Sequence, residues 1–201
     1  MFDRALLRAP AYEVAPLLLG SVLSATSEEG TVSLRITEIE AYHGSADPGS
    51  HAFRGKTNRN AVMFGEPGHL YTYFTYGMHT CANVVCGTEG QASGLLLRAG
   101  EVVDGIELAR SRRITTRTDA DLARGPARLT VALGIHLDDG GSDLESSRIR
   151  LDLLQEEFAY ETGPRTGVSG PGGTEEFPWR FWLPGDRTVS PYKRHVPKKK
   201  P

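Results

Sequence analysis

The chain has 201 residues, of which 39% are hydrophobic and 24% charged, and its formal net charge is −2. This composition is typical of a globular protein, and the length favours one domain spanning residues 1–201 with a core of its own. No apolar run approaches the ~20 residues that cross a bilayer, and the N-terminus lacks the apolar segment of a secretory signal, so we expect an intracellular protein with no membrane partner.

The first predicted elements are a helix and a long strand. Residues 11–23 carry apolar side chains at helical spacing, with Gly20 weakening the end of the helix. A polar turn at 27–30 precedes residues 31–42, where Val, Leu and Ile alternate with other residues as in a strand. We therefore predict that the chain turns back at 27–30 and enters a strand that runs to residue 42.

The most informative side chains lie on predicted strands. Glu38, Glu40 and Tyr42 are two residues apart, so they share one face of the strand at 31–42. Tyr71 and Tyr73 share a face of a second strand in the same way. A carboxylate among aromatic rings indicates catalysis on a flat ring.

A long irregular segment joins these strands and is a candidate functional region. Residues 43–68 are rich in Gly, Pro, Ser and Asn, and such a connection inside a compact domain is usually functional. Strands are then predicted at 70–75 and 80–86, joined by a tight hairpin at Tyr76-Gly77-Met78, where glycine can adopt a positive φ. This arrangement places Tyr76 at the hairpin tip.

Neither a disulfide nor a metal site is indicated. Cys86 lies five positions after Cys81 on a predicted strand, an odd offset, so their side chains should point to opposite faces. The sequence has no Cys-x-x-Cys pair and no His-Glu-x-x-His spacing. We therefore predict no bridge between the cysteines and no bound metal.

The second half of the chain is predicted to alternate between short strands and helices. In chain order the predicted elements are a strand at 95–99, a helix at 105–113, a helix from Gly125-Pro126 to Gly134, strands at 149–153 and 179–182, and a loop at 163–173 between those strands. The tail at 191–201, which contains Lys198–Lys200, is predicted to be flexible.

The residue types favour hydrolysis at a nucleobase. Tyr42, His51 and Tyr73 can form walls on which a base stacks. Glu40 can take a proton from the water that attacks the anomeric carbon of a deoxyribose, although Glu38 on the same face competes for this role. Each of these side chains could instead be a packed or ion-paired structural residue.

Lysine usage separates two chemistries that both remove bases from DNA. A glycosylase that also cuts the strand commonly uses an amine to form a Schiff base. Lys56 is the only lysine before Lys193, so such amines are scarce here. Direct displacement by water fits the sequence better.

Several short motifs occur in an order that points to a known family. They are the Glu-x-Glu-Ala-Tyr element within 36–44, Ser50-His51-Ala52, Lys56–Asn60 with Met63-Phe64, Leu70–Tyr73, Tyr76-Gly77-Met78, Asn83, Leu96–Ala99, Gly125–Leu129 and Pro164–Val168. Together they resemble the alkyladenine DNA glycosylases, also called methylpurine or 3-methyladenine DNA glycosylases. The resemblance extends from about Leu17 to Ser190.

The resemblance implies both a fold and an activity. The fold would be mixed α/β (α+β), a single domain with a curved antiparallel β-sheet core and surrounding helices, similar to the C-terminal domain of formyltransferases. The activity would be that of a monofunctional DNA glycosylase in base excision repair. Such an enzyme flips alkylated or deaminated purines out of duplex DNA, hydrolyses the N-glycosidic bond with a Glu-activated water and leaves an abasic site. It would act on double-stranded DNA containing damaged purines, as a monomer and without a cofactor.

The resemblance also implies roles for individual residues. Glu40 corresponds to the general base and Arg98 to a residue near the catalytic water, Tyr42, His51 and Tyr73 to the residues around the extruded base, Asn83 to an asparagine that excludes the 2-amino group of guanine, and Tyr76 to the residue that enters the minor groove. Arg59, Arg128 and Arg165, which lie in three of the motifs, are predicted to contact the DNA backbone.

Two other functional classes remain open from the sequence. The tyrosines and arginines could belong to a catalytically silent nucleic-acid-binding domain. Alternatively, paired carboxylates cleave sugars in carbohydrate glycosidases, but Glu38 and Glu40 on one strand face do not flank a substrate from opposite sides. Formation of an abasic site would separate an enzyme from a binding domain.

Overall fold

The computed structural model describes residues 2–75, 77–154 and 156–196. Within these ranges the fold is mixed α/β, as predicted, with a single antiparallel sheet and three α-helices. The strands are β1 (Val22–Ser27), β2 (Gly30–Tyr42), β3 (Leu70–Thr75), β4 (His79–Val85), β5 (Gly94–Asp104), β6 (Ile149–Asp152), β7 (Glu161–Gly163) and β8 (Arg180–Trp182). The α-helices are α1 (Ala11–Leu18), α2 (Ile106–Arg112) and α3 (Pro126–Leu133). None of the helices in these ranges is both long and apolar enough to cross a membrane.

The long strand β2 organises the sheet. The strand order is β3-β4-β5-β2-β1-β6, and the short strand β8 pairs with both β2 and β7. Along one edge, β2 pairs with β1 up to Arg35 and then with β8 from Glu38 to Glu40, while β5 occupies the other edge. The β2–β5 register shifts on either side of Glu38, and such bulges redirect side chains. The glutamates of β2 are therefore enclosed between two strands.

Two hydrophobic clusters lie on opposite faces of the sheet. The larger one contains the buried sides of the three helices together with sheet residues such as Leu70 and Val84. The smaller one contains Tyr71 and Val85, packed against the connection between β2 and β3. Because adjacent strand residues point to opposite faces, these neighbouring pairs show that the irregular connection covers the face opposite the helices.

The first predicted helix is shorter than expected, and the strand that follows it was missed. Helix α1 ends at Leu18, and Gly20 then adopts φ +81° and donates its N–H to the carbonyl of Ile36. This contact commits the next residues to pairing with β2, so Val22 and Leu23 begin β1 instead of ending a helix. A Cβ at position 20 would lie 2.2 Å from the ring of Phe158, so the close approach also requires glycine.

Strand β5 is longer than the predicted 95–99, because its partner β2 continues alongside it. Gly100 lies just beyond the predicted strand, yet it pairs opposite Ile36 in the β2–β5 ladder. A Cβ there would meet the side chain of Leu34 at 2.5 Å and the carbonyl oxygen of Arg35 at 2.7 Å. The glycine therefore permits a close crossing within the sheet, which is the other common reason for glycine in a strand. Strand β7 was also missed.

Candidate active site

The carboxylate of Glu40 is held by three groups at the centre of the molecule. The residue is fully buried, and its Oε2 accepts a hydrogen bond of 2.8 Å from the hydroxyl of Tyr42. Its Oε1 accepts a hydrogen bond of 2.6 Å from the backbone N–H of Thr166 and lies 3.3 Å from Nη1 of Arg98. Donors from a neighbouring side chain, a distant loop and an adjacent strand thus fix the orientation of one carboxylate.

Arg98 joins the two buried glutamates of β2. It lies on β5, and its Nε donates to Oε1 of Glu38 at 2.9 Å while its Nη2 donates to Oγ of Ser190 at 3.2 Å. Burial by itself would lower the pKa of Arg98, but the charges of Glu40 and Glu38 raise the pKa above its ordinary value. The guanidinium therefore remains charged and provides a fixed positive group beside Glu40.

Glu38 is saturated by structural partners and does not line the cavity beside Glu40. Besides Arg98, its carboxylate accepts a hydrogen bond from Nε of Arg180 at 2.6 Å and another from the backbone N–H of Ser190 at 2.7 Å. Burial tends to raise the pKa of Glu38, but the charges of Arg98 and Arg180 and these hydrogen bonds lower the pKa overall. The shared strand face is thus confirmed, and the two glutamates on it differ in access to the cavity.

A cavity of about 400 Å³ opens over Glu40. Its wall includes Glu40, Tyr42, Pro48, Gly49, His51, Met63, Tyr71, Tyr73, Thr75, His79, Cys81, Asn83, Leu96, Arg98, Pro126, Ala127 and the four residues from Thr166 to Ser169. The structure therefore brings together all the predicted catalytic and base-pocket residues. A pocket with flat walls and a few convergent polar groups can enclose one small ring system.

Three rings form a continuous aromatic wall. The planes of Tyr71 and Tyr73 are nearly parallel, with centroids 5.7 Å apart, and the ring of His51 meets Tyr73 edge-on at 4.5 Å. Nδ1 of His51 also lies 3.3 Å from the hydroxyl of Tyr71. These contacts fix the rings in place before a ligand arrives, which lowers the entropic cost of binding.

The rings of Tyr42, His51 and Tyr73 in the cavity wall are uncharged at neutral pH. Burial raises the pKa of Tyr73, and burial together with the charge of Glu40 raises the pKa of Tyr42. The walls of the cleft partly exclude water from His51, and this desolvation, with the nearby charge of Arg59, lowers the pKa of the imidazole. Neutral rings around the carboxyl group of Glu40 suit a flat substrate on which positive charge develops.

Asn83 is held rigidly at one end of the cavity. It lies on β4, is 4% exposed and donates from Nδ2 to the backbone carbonyl of Tyr71 at 3.0 Å. Its cross-strand neighbours are Tyr71 and Leu96, and all three residues line the cavity. A fixed amide at this position can accept or reject substituents on the edge of a bound ring.

Sequence reasoning missed part of the cavity wall. The loop from Thr166 to Ser169 closes one side of the cavity. The backbone N–H of Thr166 donates a hydrogen bond to Glu40, and a pattern of side chains does not reveal such a backbone contact. Cys81 lies opposite Tyr73 in the β3–β4 ladder and also lines the cavity. Alternation could have found Cys81, since Cys81 and Asn83 are two residues apart on one strand.

The three arginines predicted to contact the DNA backbone have different environments. Arg59 is exposed and donates from Nη2 to the carbonyl of Phe74 at 3.0 Å. The side chain of Arg128 is 51% exposed, with Nη1 3.8 Å from Asp121. Both guanidinium groups are therefore accessible to a large ligand.

Arg165 does not fit its predicted role. It is 1% exposed, its Nη1 and Nη2 form a bidentate pair with Asp47 at 2.6 Å each, and its Nε donates to the carbonyl of Gly172. The prediction of a DNA contact is wrong because each guanidinium nitrogen already donates to an acceptor inside the protein. An arginine in a loop looks the same in the sequence whether it faces solvent or a buried carboxylate.

Tyr76, the predicted hairpin-tip residue, lies outside the described residues. Its flanking strands β3 and β4 pair antiparallel from Leu70 opposite Val84 to Thr75 opposite His79, so the predicted hairpin ladder is confirmed. After position 76 the chain continues with Gly77 at φ +66° and Met78, which is 70% exposed. The described part of this turn is therefore open to solvent beside the cavity residue His79.

Metal ligands and a disulfide are not evident in the parts of the chain that the structure describes. Cys81 and Cys86 are both free and buried, with Cys86 in the large core and Cys81 in the cavity wall. Across the same described residues, no group of three or more His, Cys, Asp or Glu side chains is placed to hold a metal ion.

Comparisons of the chain with a family model and with individual proteins agree with each other. Residues 5–187 match the family model described as methylpurine-DNA glycosylase. A protein of Leifsonia xyli subsp. xyli is 60% identical over 192 residues, which are 93% of this chain and 90% of that protein. Relatives from Streptomyces avermitilis (52% identical, 95% and 91% covered) and Cutibacterium acnes (46% identical, 92% and 96% covered) are similar over comparable lengths. All three carry the provisional name 3-methyladenine DNA glycosylase.

Proposed function

Because the chain belongs to the methylpurine-DNA glycosylase family, and is thus a DNA glycosylase of DNA repair, we propose that it excises alkylated or deaminated purines from duplex DNA with Glu40 as general base. The observation that carries the proposal is the position of Glu40, whose carboxylate is buried, fixed by three donors and directed into a cavity with flat aromatic walls. 3-Methyladenine and 7-methylguanine are the expected substrates, and hypoxanthine and ethenoadenine are further candidates.

In the proposed reaction Glu40 accepts a proton from a water molecule as the water oxygen bonds to C1′ of the damaged nucleotide. The N-glycosidic bond breaks at the same carbon, and its electron pair leaves with the base. The negative charge of Glu40 also stabilises the positive charge that develops on the sugar. Nη1 of Arg98 lies 3.3 Å from Oε1 of Glu40, so a positive charge is held beside the reacting carboxylate.

The nature of the lesion decides how much help the leaving group needs. An N-alkylated purine carries positive charge and leaves as a neutral base, so activation of water accounts for most of the catalysis. A neutral lesion such as hypoxanthine depends more on the fit of the cavity. Tyr42, His51 and Tyr73 supply neutral stacking surfaces. The fixed amide of Asn83 disfavours the 2-amino group of guanine, so a guanine is removed only when alkylation makes it a good leaving group, as in 7-methylguanine.

Reaching C1′ requires the damaged nucleotide to leave the base stack. Tyr76, following Thr75 at the end of β3, is the residue proposed to fill the vacated space from the minor groove, which offsets part of the few kcal/mol of unstacking. Arg59 and Arg128 are proposed phosphate contacts because both are accessible and each is close to a cavity-lining residue. Arg59 donates to the carbonyl of Phe74, which precedes the lining residue Thr75, and Arg128 follows the lining residue Ala127. We propose that the protein acts as a monomer.

Glu40→Gln is the direct test of the proposed mechanism. The substitution preserves shape but removes the proton acceptor, so single-turnover excision of hypoxanthine or 3-methyladenine should fall by about 10²-fold or more. Binding of a damaged duplex should survive, because the aromatic wall is unchanged. Near-normal excision by this variant would reject Glu40 as the general base.

A catalytically silent nucleic-acid-binding domain predicts a different outcome in a simple assay. The protein is incubated with duplexes that contain one lesion each, and alkali then cleaves any abasic site. Strand cleavage with at least one lesion, and none with undamaged DNA, is the expected result. Binding without abasic sites across the whole lesion set would favour the silent domain.

The structure gives little support to a carbohydrate glycosidase. The two carboxylates of such an enzyme flank the scissile bond. Here Glu38 and Glu40 are bridged by one guanidinium, that of Arg98, and only Glu40 lines the cavity. Two carboxylates in this arrangement cannot act on opposite faces of one sugar.

A further inference from the structure

We propose that the buried ion pair between Asp47 and Arg165 is a positioning device that sets both oxygens of Glu40 for catalysis. The proposal rests on the role of Glu40 proposed above and adds two residues that do not touch the substrate. Neither Asp47 nor Arg165 lines the cavity, and both side chains are 0% exposed. Their effect on the reaction must therefore pass through the groups that they hold.

One line of contacts runs from Arg165 to Oε1 of Glu40. The next residue, Thr166, donates its backbone N–H to that oxygen at 2.6 Å. Arg165 anchors this part of the loop through its bidentate contact with Asp47 and through the carbonyl of Gly172, which accepts from Nη2 at 2.7 Å. Because an N–H cannot move independently of its peptide plane, a shift of residue 165 shifts the hydrogen bond to the catalytic carboxylate.

A second line of contacts runs from Arg165 to Oε2 of Glu40. The guanidinium carbon lies 4.5 Å from the ring centroid of Tyr42, in cation–π range, and the hydroxyl of Tyr42 donates to Oε2. Nη1 of Arg165 also donates to the carbonyl of Ala41 at 2.8 Å, which fixes the strand between Glu40 and Tyr42. Both carboxylate oxygens thus depend on the place of one guanidinium.

Asp47 connects the same guanidinium to a second segment of the cavity wall. Its Oδ1 accepts a hydrogen bond from the N–H of Gly49 at 2.8 Å, and its Oδ2 accepts one from the N–H of His43 at 3.1 Å. Gly49 lines the cavity, and a Cβ at that position would lie 2.5 Å from Nη2 of Arg165. The two loops therefore meet at a contact that only glycine allows, with the ion pair at its centre.

The experiment separates positioning from stability. The double variant Asp47→Asn/Arg165→Met removes both charges, and replacing a buried pair by neutral groups often leaves stability nearly unchanged. Because the carbonyls of Ala41 and Gly172 also lose their donor, we expect this variant to melt below the unmodified protein but to remain folded at the assay temperature. It should bind a damaged duplex almost as well and lose about 10²-fold in single-turnover excision at saturating DNA, the effect of a misplacement near 1 Å. A folded double variant with the unmodified rate would overturn the proposal.

A second arginine–aspartate pair, which is more exposed and lies away from the cavity, provides the control. Nη2 of Arg4 contacts both oxygens of Asp143 at 3.1 and 3.0 Å, and neither residue lines the cavity. Arg4→Met/Asp143→Asn should leave the excision rate per folded molecule unchanged. An equal loss of rate in this control would show that removal of any such pair impairs the enzyme, which also overturns the proposal.

Two further measurements keep the test decisive if the double variant does not fold. Arg165→Lys keeps a positive charge opposite Asp47 but loses the fork geometry, so it should fold and show an intermediate rate at saturating DNA. In the unmodified protein the Thr166 amide should be protected from hydrogen exchange. An unmodified rate with lysine, or an unprotected amide, counts against the proposal. If Glu40→Gln is itself active, the proposed function fails first, whereas an inactive Glu40→Gln with a fully active pair variant refutes only the positioning role.

Discussion

Replacing Glu38 by Gln tests whether Glu38 stabilises the fold while Glu40 acts in catalysis. The change removes a fully buried negative charge that faces Arg98 and Arg180, while the side chain keeps its size. We expect Glu38→Gln to lower stability strongly and Glu40→Gln to lower excision strongly. The reason is that Glu38 contacts two arginines inside the protein and Glu40 faces the cavity.

The expected loss of stability follows from the contacts of Glu38. Breaking a buried ion pair by removing one partner costs about 3–5 kcal/mol, because the remaining charge is left uncompensated. A 150–250-residue domain loses about 2–4 °C in melting temperature for each kcal/mol, so a decrease of roughly 6–20 °C is expected. Glutamine keeps one acceptor oxygen, so either the two arginines or the Ser190 N–H must face its NH2 group, and the upper half of this range is expected.

The pH dependence of stability provides an independent check on the same residue. The pKa of Glu38 is lowered in the folded state from an ordinary value of 4.5, so its contribution is complete above about pH 4.5 and is lost as the pH falls through the lower folded-state pKa. The free energy of unfolding of the unmodified protein should therefore exceed that of Glu38→Gln by a constant amount near neutrality. The difference should shrink only in acid.

Thermal and urea unfolding, followed by single-turnover excision below the melting temperature, measure both properties in the same preparations. The expected pattern is an unstable Glu38→Gln protein that retains activity while folded, and a folded Glu40→Gln protein that does not excise. The reasoning is refuted if Glu38→Gln melts like the unmodified protein but has lost excision, because Glu38 would then act in the chemistry.

Three further outcomes can be measured. Asn83→Ala should increase excision of undamaged guanine relative to hypoxanthine in a competition assay, because the amide held by Tyr71 no longer blocks the 2-amino group; unchanged discrimination would assign selectivity to other walls. If Arg59 and Arg128 each contact one phosphate, Arg59→Gln and Arg128→Gln should each make the dependence of the logarithm of the DNA-binding constant on log salt less steep, by about 0.9 for duplex DNA. An unchanged slope would show that the arginine does not contact DNA. Burial raises the pKa of Cys81, and that of Cys86 to about 12, so a thiol reagent at neutral pH should modify neither until the protein unfolds; rapid labelling of the native protein would contradict the buried thiols.

Local patterns in the sequence were sufficient for the strands that carry the site. Alternation over 31–42 predicted strand β2 and the shared face of Glu38, Glu40 and Tyr42, because side-chain direction in a strand repeats every two residues regardless of the rest of the fold. The same argument paired Tyr71 with Tyr73, whose rings stack in the cavity wall. The order of the motifs pointed to the family in which residues 5–187 match.

Tertiary structure decided which of these groups can act. The local pattern does not distinguish Glu38 from Glu40. They differ because Arg180 and Ser190, more than 140 residues later in the chain, bind the carboxylate of Glu38, whereas the carboxylate of Glu40 lines the cavity. Arginine is a residue type that commonly contacts DNA phosphates. Arg165, however, is buried against Asp47, which lies in a loop 118 residues earlier in the chain. Burial and the identity of a charge's partner are properties of segments brought together by folding, so they are not encoded in the residues adjacent to the charge.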